Sequence, residues 1–191
     1  MNHFESLVQR AVALHEDTVV DKTHEAIHQL HSGDFEPVKP EEFAKSVYAS
    51  KHLKMLSHYS NDELGKMRLF KVRGKNIGFA LKHHPETGKH SELVLVHNNE
   101  PGVKGIGDHL MHAAIKAGAT HLDHFDVPEL SGLYGRHGFK EVHRDAYDPQ
   151  YDEGGHFASK YGKRDVVYRK RESGLSESSD FTGFAKMVLG L

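Results

Sequence analysis

The 191-residue sequence contains no cysteine, and this absence excludes several kinds of chemistry. Disulfide bonds, thiolate metal centres and cysteine nucleophiles all need the sulfur atom that the chain lacks. The chain also lacks an excess of charge of one sign, because 25 Lys and Arg residues face 27 Asp and Glu residues. We therefore expect no nucleic-acid partner, since no basic field is present to attract one.

Long hydrophobic runs are absent as well. No apolar stretch approaches the roughly 20 residues that cross a bilayer, and no hydrophobic signal segment opens the chain. We therefore expect a soluble, cytoplasmic protein without a membrane partner. The length and the 37% apolar content are typical of one globular domain with a core and an appended arm.

The most informative stretch is residues 91–118, where the pattern predicts a strand, a glycine turn and an amphipathic helix. Residues 93–96 are all apolar, as in a strand buried on both faces, and the helix is expected to end at Gly118. Three glycines expose the backbone where this helix begins: Gly102, Gly105 and Gly107. Because helix N-terminal amides attract anions, the turn predicts a site for a phosphate or a pyrophosphate.

Hydrophobic periodicity predicts further elements on both sides of this stretch. The predicted helices cover residues 3–31, 40–56 and 129–137. The predicted strands cover residues 67–72, 76–83, 119–127, 139–144 and 165–169. Ser60 to Glu63 is expected to form a cap or turn, and residues 145–163 a long polar loop.

This pattern divides the chain into three predicted regions. Residues 1–60 form a helical segment that packs on the core or extends it, and residues 61–171 form the main domain. Residues 172–191 form a flexible Ser/Glu-rich linker and a short apolar helix. The apolar face of residues 181–191 fits two placements: packed on its own domain, or docked on a protein partner or a second copy of the chain.

Two short motifs frame the second half of the main domain: Gly105-Ile106-Gly107, and Leu133-Tyr134 followed by Gly138-Phe139. Both resemble motifs of the GNAT superfamily of acyl-CoA-dependent N-acetyltransferases. The resemblance covers residues 67–144 and implies an α/β fold with a central mixed sheet and helices on both faces. It departs from the family at Gly102, where relatives hold Gln or Arg, and in a preceding loop that is one residue longer.

The resemblance implies transfer of an acetyl group from acetyl-CoA, as co-substrate, to a primary amine by direct attack. Acetyl-CoA would lie between the strand at 93–96 and a parallel neighbour at 119–125, with its pyrophosphate on the turn. Tyr134 would protonate the departing thiolate, and a backbone amide near Leu95 would polarise the thioester carbonyl. The residues implied in donor binding are Leu95, Val96, Val103, Lys104, Gly105, Ile106, Gly107 and Asp108.

The sequence leaves open which group takes the proton of the incoming amine. Glu92 begins the central strand, and His97 ends it with a side chain whose ordinary pKa suits a base. Asp123 and Asp126 lie across the expected gap. Each of these residues also has an ordinary interpretation as a solvated strand-end side chain, and Tyr134 has one as a core aromatic ring.

The second half of the chain, from LDHFDV to YGKRDVVYRKR, resembles a subgroup of these domains found in phage proteins. This resemblance implies an alternative to an enzyme. The protein would then be a catalytically silent phage virion, structural or interaction component, located in the host cytoplasm or in the particle.

The chain holds 18 histidines, but its spacing predicts no metal site. In the segment HLDHFD, His121 and Asp123 are expected on one side of a strand, with His124 and Asp126 on the other. No helix carries His-Glu-x-x-His, and no third ligand is placed by spacing.

Overall fold

A computed structural model describes residues 34–49, 57–101 and 103–172 of the chain. The helix predicted at residues 3–31, the linker after residue 172 and the apolar helix predicted at 181–191 lie outside the described residues. None of the helices in the described part combines the length and the apolar character that a bilayer span requires.

The described residues form one seven-stranded mixed sheet with the spatial order β1-β2-β3-β4-β5-β7-β6. Its strands in chain order are β1 (Phe35–Pro37), β2 (Arg68–Val72), β3 (Ile77–His84), β4 (Lys89–Asn98), β5 (His121–Phe125), β6 (Lys140–Asp145) and β7 (Val166–Lys170). Within the described ranges β4 and β5 are the one parallel pair, and the other neighbours are antiparallel. The predicted α/β class with a central mixed sheet is confirmed.

The described residues also form five α-helices. They are α1 (Pro40–Val47), α2 (Asn61–Leu64), α3 (Gly107–Lys116), α4 (Pro128–Arg136) and α5 (His156–Tyr161). Proline opens α1 and α4, where its missing N–H would have no helical partner. The predicted cap before α2 is confirmed as a capping box, because Ser60 and Glu63 each bind the other's backbone N–H.

Helices cover both faces of the sheet over two separate apolar clusters. The α3/α4 cluster joins those helices to the sheet and includes the fully buried Met111 and Phe139. The α1/α2 cluster includes the fully buried Phe43. Leu81 belongs to the first cluster and the adjacent Ala80 to the second, and successive residues of a strand point to opposite faces. The helices on both faces are thus confirmed.

Three parts of the chain differ from the sequence prediction. The helix predicted at residues 40–56 ends at Val47, and residues 50–56 lie outside the described residues. The segment before α1 supplies a first strand that periodicity did not predict, because β1 is only three residues long and pairs along one edge of β2. The predicted loop at 145–163 contains α5 and two 3₁₀ turns. The buried Asp152 carboxylate orders this segment, since it accepts hydrogen bonds from the N–H groups of Phe157 and Ala158 and from the Tyr147 hydroxyl.

Candidate functional site

A gap opens in the middle of the sheet between the parallel strands β4 and β5. Only two register pairs join them, Glu92 with His121 and Leu93 with Leu122. Beyond these pairs β4 continues to Asn98 without a partner on β5. The two strands therefore separate in the region where we expected the acyl donor to bind.

A β-bulge at Leu95 shapes the wall of this gap. Leu95 has φ of 52°, which is uncommon for a residue with a side chain. Neither Leu95 nor Val96 has a register partner on β3, whose pairing jumps from Gly78–His97 to Ala80–Val94. As a result the backbone of Leu95 and Val96 lies beside the gap instead of continuing the regular ladder.

His97 supports the bulge and is poorly placed to act as the base. Its Nδ1 lies 3.0 Å from the Leu95 carbonyl oxygen, which only accepts, so Nδ1 donates and Nε2 accepts from the Ser46 hydroxyl at 2.9 Å. The ring is buried, and this burial lowers the pKa of His97 to about 4. We therefore drop His97 from the candidate bases, because both of its nitrogens are engaged in the protein interior.

The turn after β4 is braced by a side chain that the sequence analysis did not identify. Asn98 donates from Nδ2 to the Val103 carbonyl at 2.8 Å and accepts the N–H of Glu100 at 3.2 Å. This asparagine holds the turn between β4 and α3. The N–H of Val103 donates within the turn to the Glu100 carbonyl at 3.4 Å, so Val103 is not among the best anion donors.

The first turn of α3 presents backbone amides next to the gap. Gly105 adopts φ of 74°, a conformation that favours glycine, and turns the chain into the helix. Ile106 is the N-cap and no side chain caps the helix, so the first-turn N–H groups have no partner among the described residues. Lys104 is exposed in the same turn and adds positive charge.

The side chain of Asp108 faces away from this amide site. Its Oδ1 accepts from His137 Nε2 at 2.7 Å and from Arg136 Nη2 at 3.2 Å, and these contacts tie α3 to the end of α4. The hydrogen bond from His137, followed by that from Arg136, lowers the pKa of Asp108. Only the backbone N–H of Asp108 remains a candidate donor to an anion.

Two carboxylates lie where β4 and β5 are still paired, on the α1/α2 face of the sheet. Glu92 is mostly buried and its Oε1 lies 3.3 Å from Lys82 Nζ. Leu122 belongs to the α3/α4 cluster, so the next residue, Asp123, points to the other face. Asp123 is exposed to solvent at its surface, while the surrounding protein atoms, followed by the Glu92 charge, raise its pKa.

Tyr59 lies close enough to Glu92 and Asp123 for their charges to raise its pKa, although its position in the sequence did not indicate this proximity. The Tyr48 hydroxyl accepts the N–H of Tyr59 at 2.8 Å and donates to its carbonyl at 3.0 Å, which anchors the segment before α2. The Tyr59 pKa is raised, first by burial, while the charge of Lys82 opposes the shift. No short-range motif predicts that Tyr59 lies near Glu92 and Asp123, because these residues come from distant segments of the chain.

Both carboxylate oxygens of the remaining acidic candidate, Asp126, accept hydrogen bonds from other residues. Its Oδ1 accepts from the Ser131 hydroxyl at 2.9 Å and its Oδ2 from Arg144 Nη1 at 2.6 Å. The hydrogen bond from Arg144 is the main reason that the Asp126 pKa is lowered. A carboxylate held in this way is a weak base, so Asp126 is not retained.

Tyr134 approaches the sheet from the α3/α4 face. Its side chain is buried, and its ring centroid lies 5.0 Å from that of His124 on β5. Burial, together with the charge of Asp123, raises the pKa of Tyr134 to about 12. The phenol is therefore protonated at neutral pH and is suited to donate a hydrogen bond rather than to act as a base.

No protein-family model matches the sequence, and no curated protein matches it. Among solved structures the chain is similar to the IAA acetyltransferase from Bacillus cereus ATCC 14579, with 15% identity and a TM-score of 0.44 over 72% of this chain and 97% of that one. The fold class stated above rests on the strand order and pairing themselves.

Proposed function

We propose that the protein is an acyl-CoA-dependent N-acyltransferase that moves an acetyl group from acetyl-CoA to a primary amine. The observation that carries this proposal is the gap between β4 and β5, with the α3 amides at one end and two carboxylates at the other. The gap also separates Tyr134 on one face of the sheet from Asp123 on the opposite face. A donor and an acceptor entering from opposite faces would meet in it.

The donor is proposed to bind through its pyrophosphate at the start of α3. The N–H groups of Gly105, Ile106, Gly107 and Asp108 are the proposed donors, with the Lys104 side chain beside them. Each hydrogen bond to a charged acceptor contributes about 1.5–3 kcal/mol. Several such bonds offset the loss of the family's Gln or Arg. The pantetheine arm would then follow the irregular backbone of Leu95 and Val96 toward the carboxylates.

The proposed reaction is a direct displacement. The amine nitrogen attacks the thioester carbonyl carbon, a C–N bond forms, and the C–S bond breaks to release the CoA thiolate. Tyr134 donates a hydrogen bond to the departing sulfur. Because a thiol pKa is about 8.5 and that of Tyr134 is about 12, the phenol stabilises the thiolate without full proton transfer. The proton lost from the amine goes to the base.

Asp123 is the proposed base, and Glu92 is proposed to hold the acceptor. A raised pKa brings Asp123 closer to the range in which a carboxylate accepts a proton effectively, and its solvent access allows transfer directly or through water. Glu92 is fixed by Lys82 and adds negative charge that attracts an ammonium group. The Asp123 charge favours an acceptor that arrives as an ammonium ion, which loses one proton to solvent before its neutral nitrogen attacks and a second to the base as the amide forms.

The test is acetyl transfer from acetyl-CoA to a panel of primary amines, measured as release of free CoA thiol. We expect Asp123→Asn to lower kcat by about 10²- to 10⁴-fold, the usual contribution of a general base, and to leave acetyl-CoA affinity unchanged. Asp62→Asn is the matched control, because Asp62 is exposed in α2. Equal rates for the two variants would remove Asp123 from the mechanism.

Binding of acetyl-CoA without turnover on any amine would favour a different conclusion. The fold would then serve in binding or assembly, as the resemblance to phage proteins implied. The same assay therefore separates the proposed enzyme from its non-catalytic alternative.

A further inference from the structure

Two buried imidazole nitrogens, His84 Nδ1 and His121 Nε2, have no hydrogen-bond partner among the described residues. His84 ends β3, and His121 begins β5 and is only 7% exposed. Buried polar atoms in folded proteins are nearly always paired, so two such atoms on neighbouring rings call for an explanation.

A carboxylate completes this group. Glu86 lies in the turn between β3 and β4, and its Oε2 is 3.5 Å from His121 Nε2. One ligand atom from each of His84, Glu86 and His121 falls within 4.8 Å of the others. The two rings are stacked, with centroids 3.8 Å apart. Two nitrogens and one oxygen, from the β3–β4 hairpin and from the start of β5, thus lie close together.

A hydrogen bond on the far side of His121 fits metal binding. Its Nδ1 lies 2.9 Å from the Thr120 hydroxyl oxygen. An Nδ1–H that donates to this oxygen leaves Nε2 with the lone pair that a metal ion needs, as in metal-bound histidines that donate their other N–H to a neighbour.

We propose that His84, Glu86 and His121 bind a divalent transition-metal ion, with Zn²⁺ as the best fit to two imidazoles and one carboxylate. Three protein ligands with a fourth position open to water are a common Zn²⁺ arrangement. In a tetrahedral site with Zn–N distances of about 2.0–2.1 Å the ligand atoms lie about 3.3 Å apart. The three ligand atoms, which now lie within 4.8 Å of one another, must therefore approach by up to about 1.5 Å, a distance that side-chain rotation can supply. One ring must also tilt out of the stack to aim its lone pair at the ion.

Access to the site and competition for Glu86 both follow from nearby residues. A cavity of about 1000 Å³ is lined by His121, Lys170 and Arg171 and gives an ion a route from solvent. Lys170 Nζ donates a hydrogen bond to Glu86 Oε2 at 3.1 Å and so competes with a metal ion for this carboxylate. Metal binding would rotate the Glu86 carboxylate away from Lys170 and toward the two imidazole rings. This cavity lies at the start of β4 and β5, at the opposite end from the gap, so the proposal is independent of acyl transfer.

The test is titration of the full-length protein with Co²⁺, followed by its visible absorption, and competition by Zn²⁺. We expect one Co²⁺ ion to bind tightly to each chain and to show the visible spectrum of a low-coordinate Co²⁺ site. Addition of Zn²⁺ should raise the Tm of the protein. The double variant His84→Ala/His121→Ala should weaken binding at least tenfold and lose both signals. Circular dichroism establishes that the variant is folded.

The matched control is His83→Ala/His90→Ala, which also removes two histidines. The His83 and His90 rings meet edge to face with their centroids 6.0 Å apart, and His90 Nε2 is hydrogen-bonded to the Lys66 carbonyl oxygen. The control should retain the tight equivalent. Glu86→Ala is a second probe, because Glu86 is 65% exposed and its loss leaves the core intact. It too should weaken Co²⁺ binding at least tenfold.

Two results would overturn the proposal. One is equal weakening in both double variants, which would assign binding to scattered surface histidines. The other is the absence of a tight equivalent in the unmodified protein, which would leave the three residues as an internal polar cluster.

Discussion

His97 shows how one buried side chain links the candidate site to stability. Its neutral ring donates to the bulged Leu95 carbonyl and accepts from Ser46, so the shape of the gap depends on an uncharged imidazole. Protonation would remove the acceptor nitrogen and place a charge in the interior. The pKa of about 4 measures how strongly the fold opposes that protonation.

The pH dependence of stability follows from this shift. The folded pKa of His97 lies below the unfolded value of about 6.5, so the unfolded chain takes up a proton first as the pH falls. The stabilisation is complete above about pH 6.5 and is lost progressively toward pH 4. We expect about 2 kcal/mol of the free energy of unfolding to be lost through this residue between pH 7 and pH 5.

Urea denaturation at the two pH values checks this expectation. The His97→Gln variant should be less stable than the unmodified protein at pH 7, and the difference should shrink by about 2 kcal/mol at pH 5. His143→Gln is the control, because the side chain of His143 is 64% exposed. A difference for His97→Gln that stays constant with pH would show that the ring titrates normally in the folded protein.

At the level of elements, the contact between α3 and α4 positions both the amide turn and Tyr134. A Cβ added at Gly107 would lie 3.2 Å from Cδ2 of Leu133, so alanine at this position would require the Leu133 side chain to move by a few tenths of an ångström. A Cβ added at Gly135, also in a helix, meets nothing within 4 Å. The two glycines therefore form a matched pair.

We expect alanine to have opposite effects at these two positions. Gly135→Ala should raise the free energy of unfolding by about 0.5–1 kcal/mol, because alanine favours a helix. Gly107→Ala should lower it by about 1 kcal/mol, because Leu133 must move. Chemical denaturation of both variants measures the difference. Equal stabilisation would mean that Leu133 yields freely and that the two helices are not closely fitted.

At the level of the whole molecule, the sequence predicts local elements well and distant contacts poorly. The strand, turn and helix of residues 91–118 follow from apolar period and glycine placement, and the structure confirms them. α5 was missed because Asp152 caps it from outside the helix. The cluster of His84, Glu86 and His121 was missed because only the folded sheet brings His121 on β5 beside the hairpin that holds His84 and Glu86.

The same reasoning explains which candidate bases remained. Sequence placed Glu92, His97, Asp123 and Asp126 near the gap but gave no information on their partners. The hydrogen bonds of His97 and Asp126 exist only in the folded chain and exclude both residues. Asp123 stands out because desolvation by the folded chain, followed by the charge of Glu92 on the adjacent strand, raises its pKa.

The most direct test of the central claim is acetyl-CoA binding, measured by calorimetry and by thermal shift. At 100 times its dissociation constant the ligand should stabilise the protein by about 2.7 kcal/mol, and Tyr134→Phe should retain this stabilisation while losing turnover. Gly107→Ala, which disturbs the amide turn, should weaken binding. If millimolar acetyl-CoA gives neither binding heat nor a change in Tm, the gap between β4 and β5 is not an acyl-donor site.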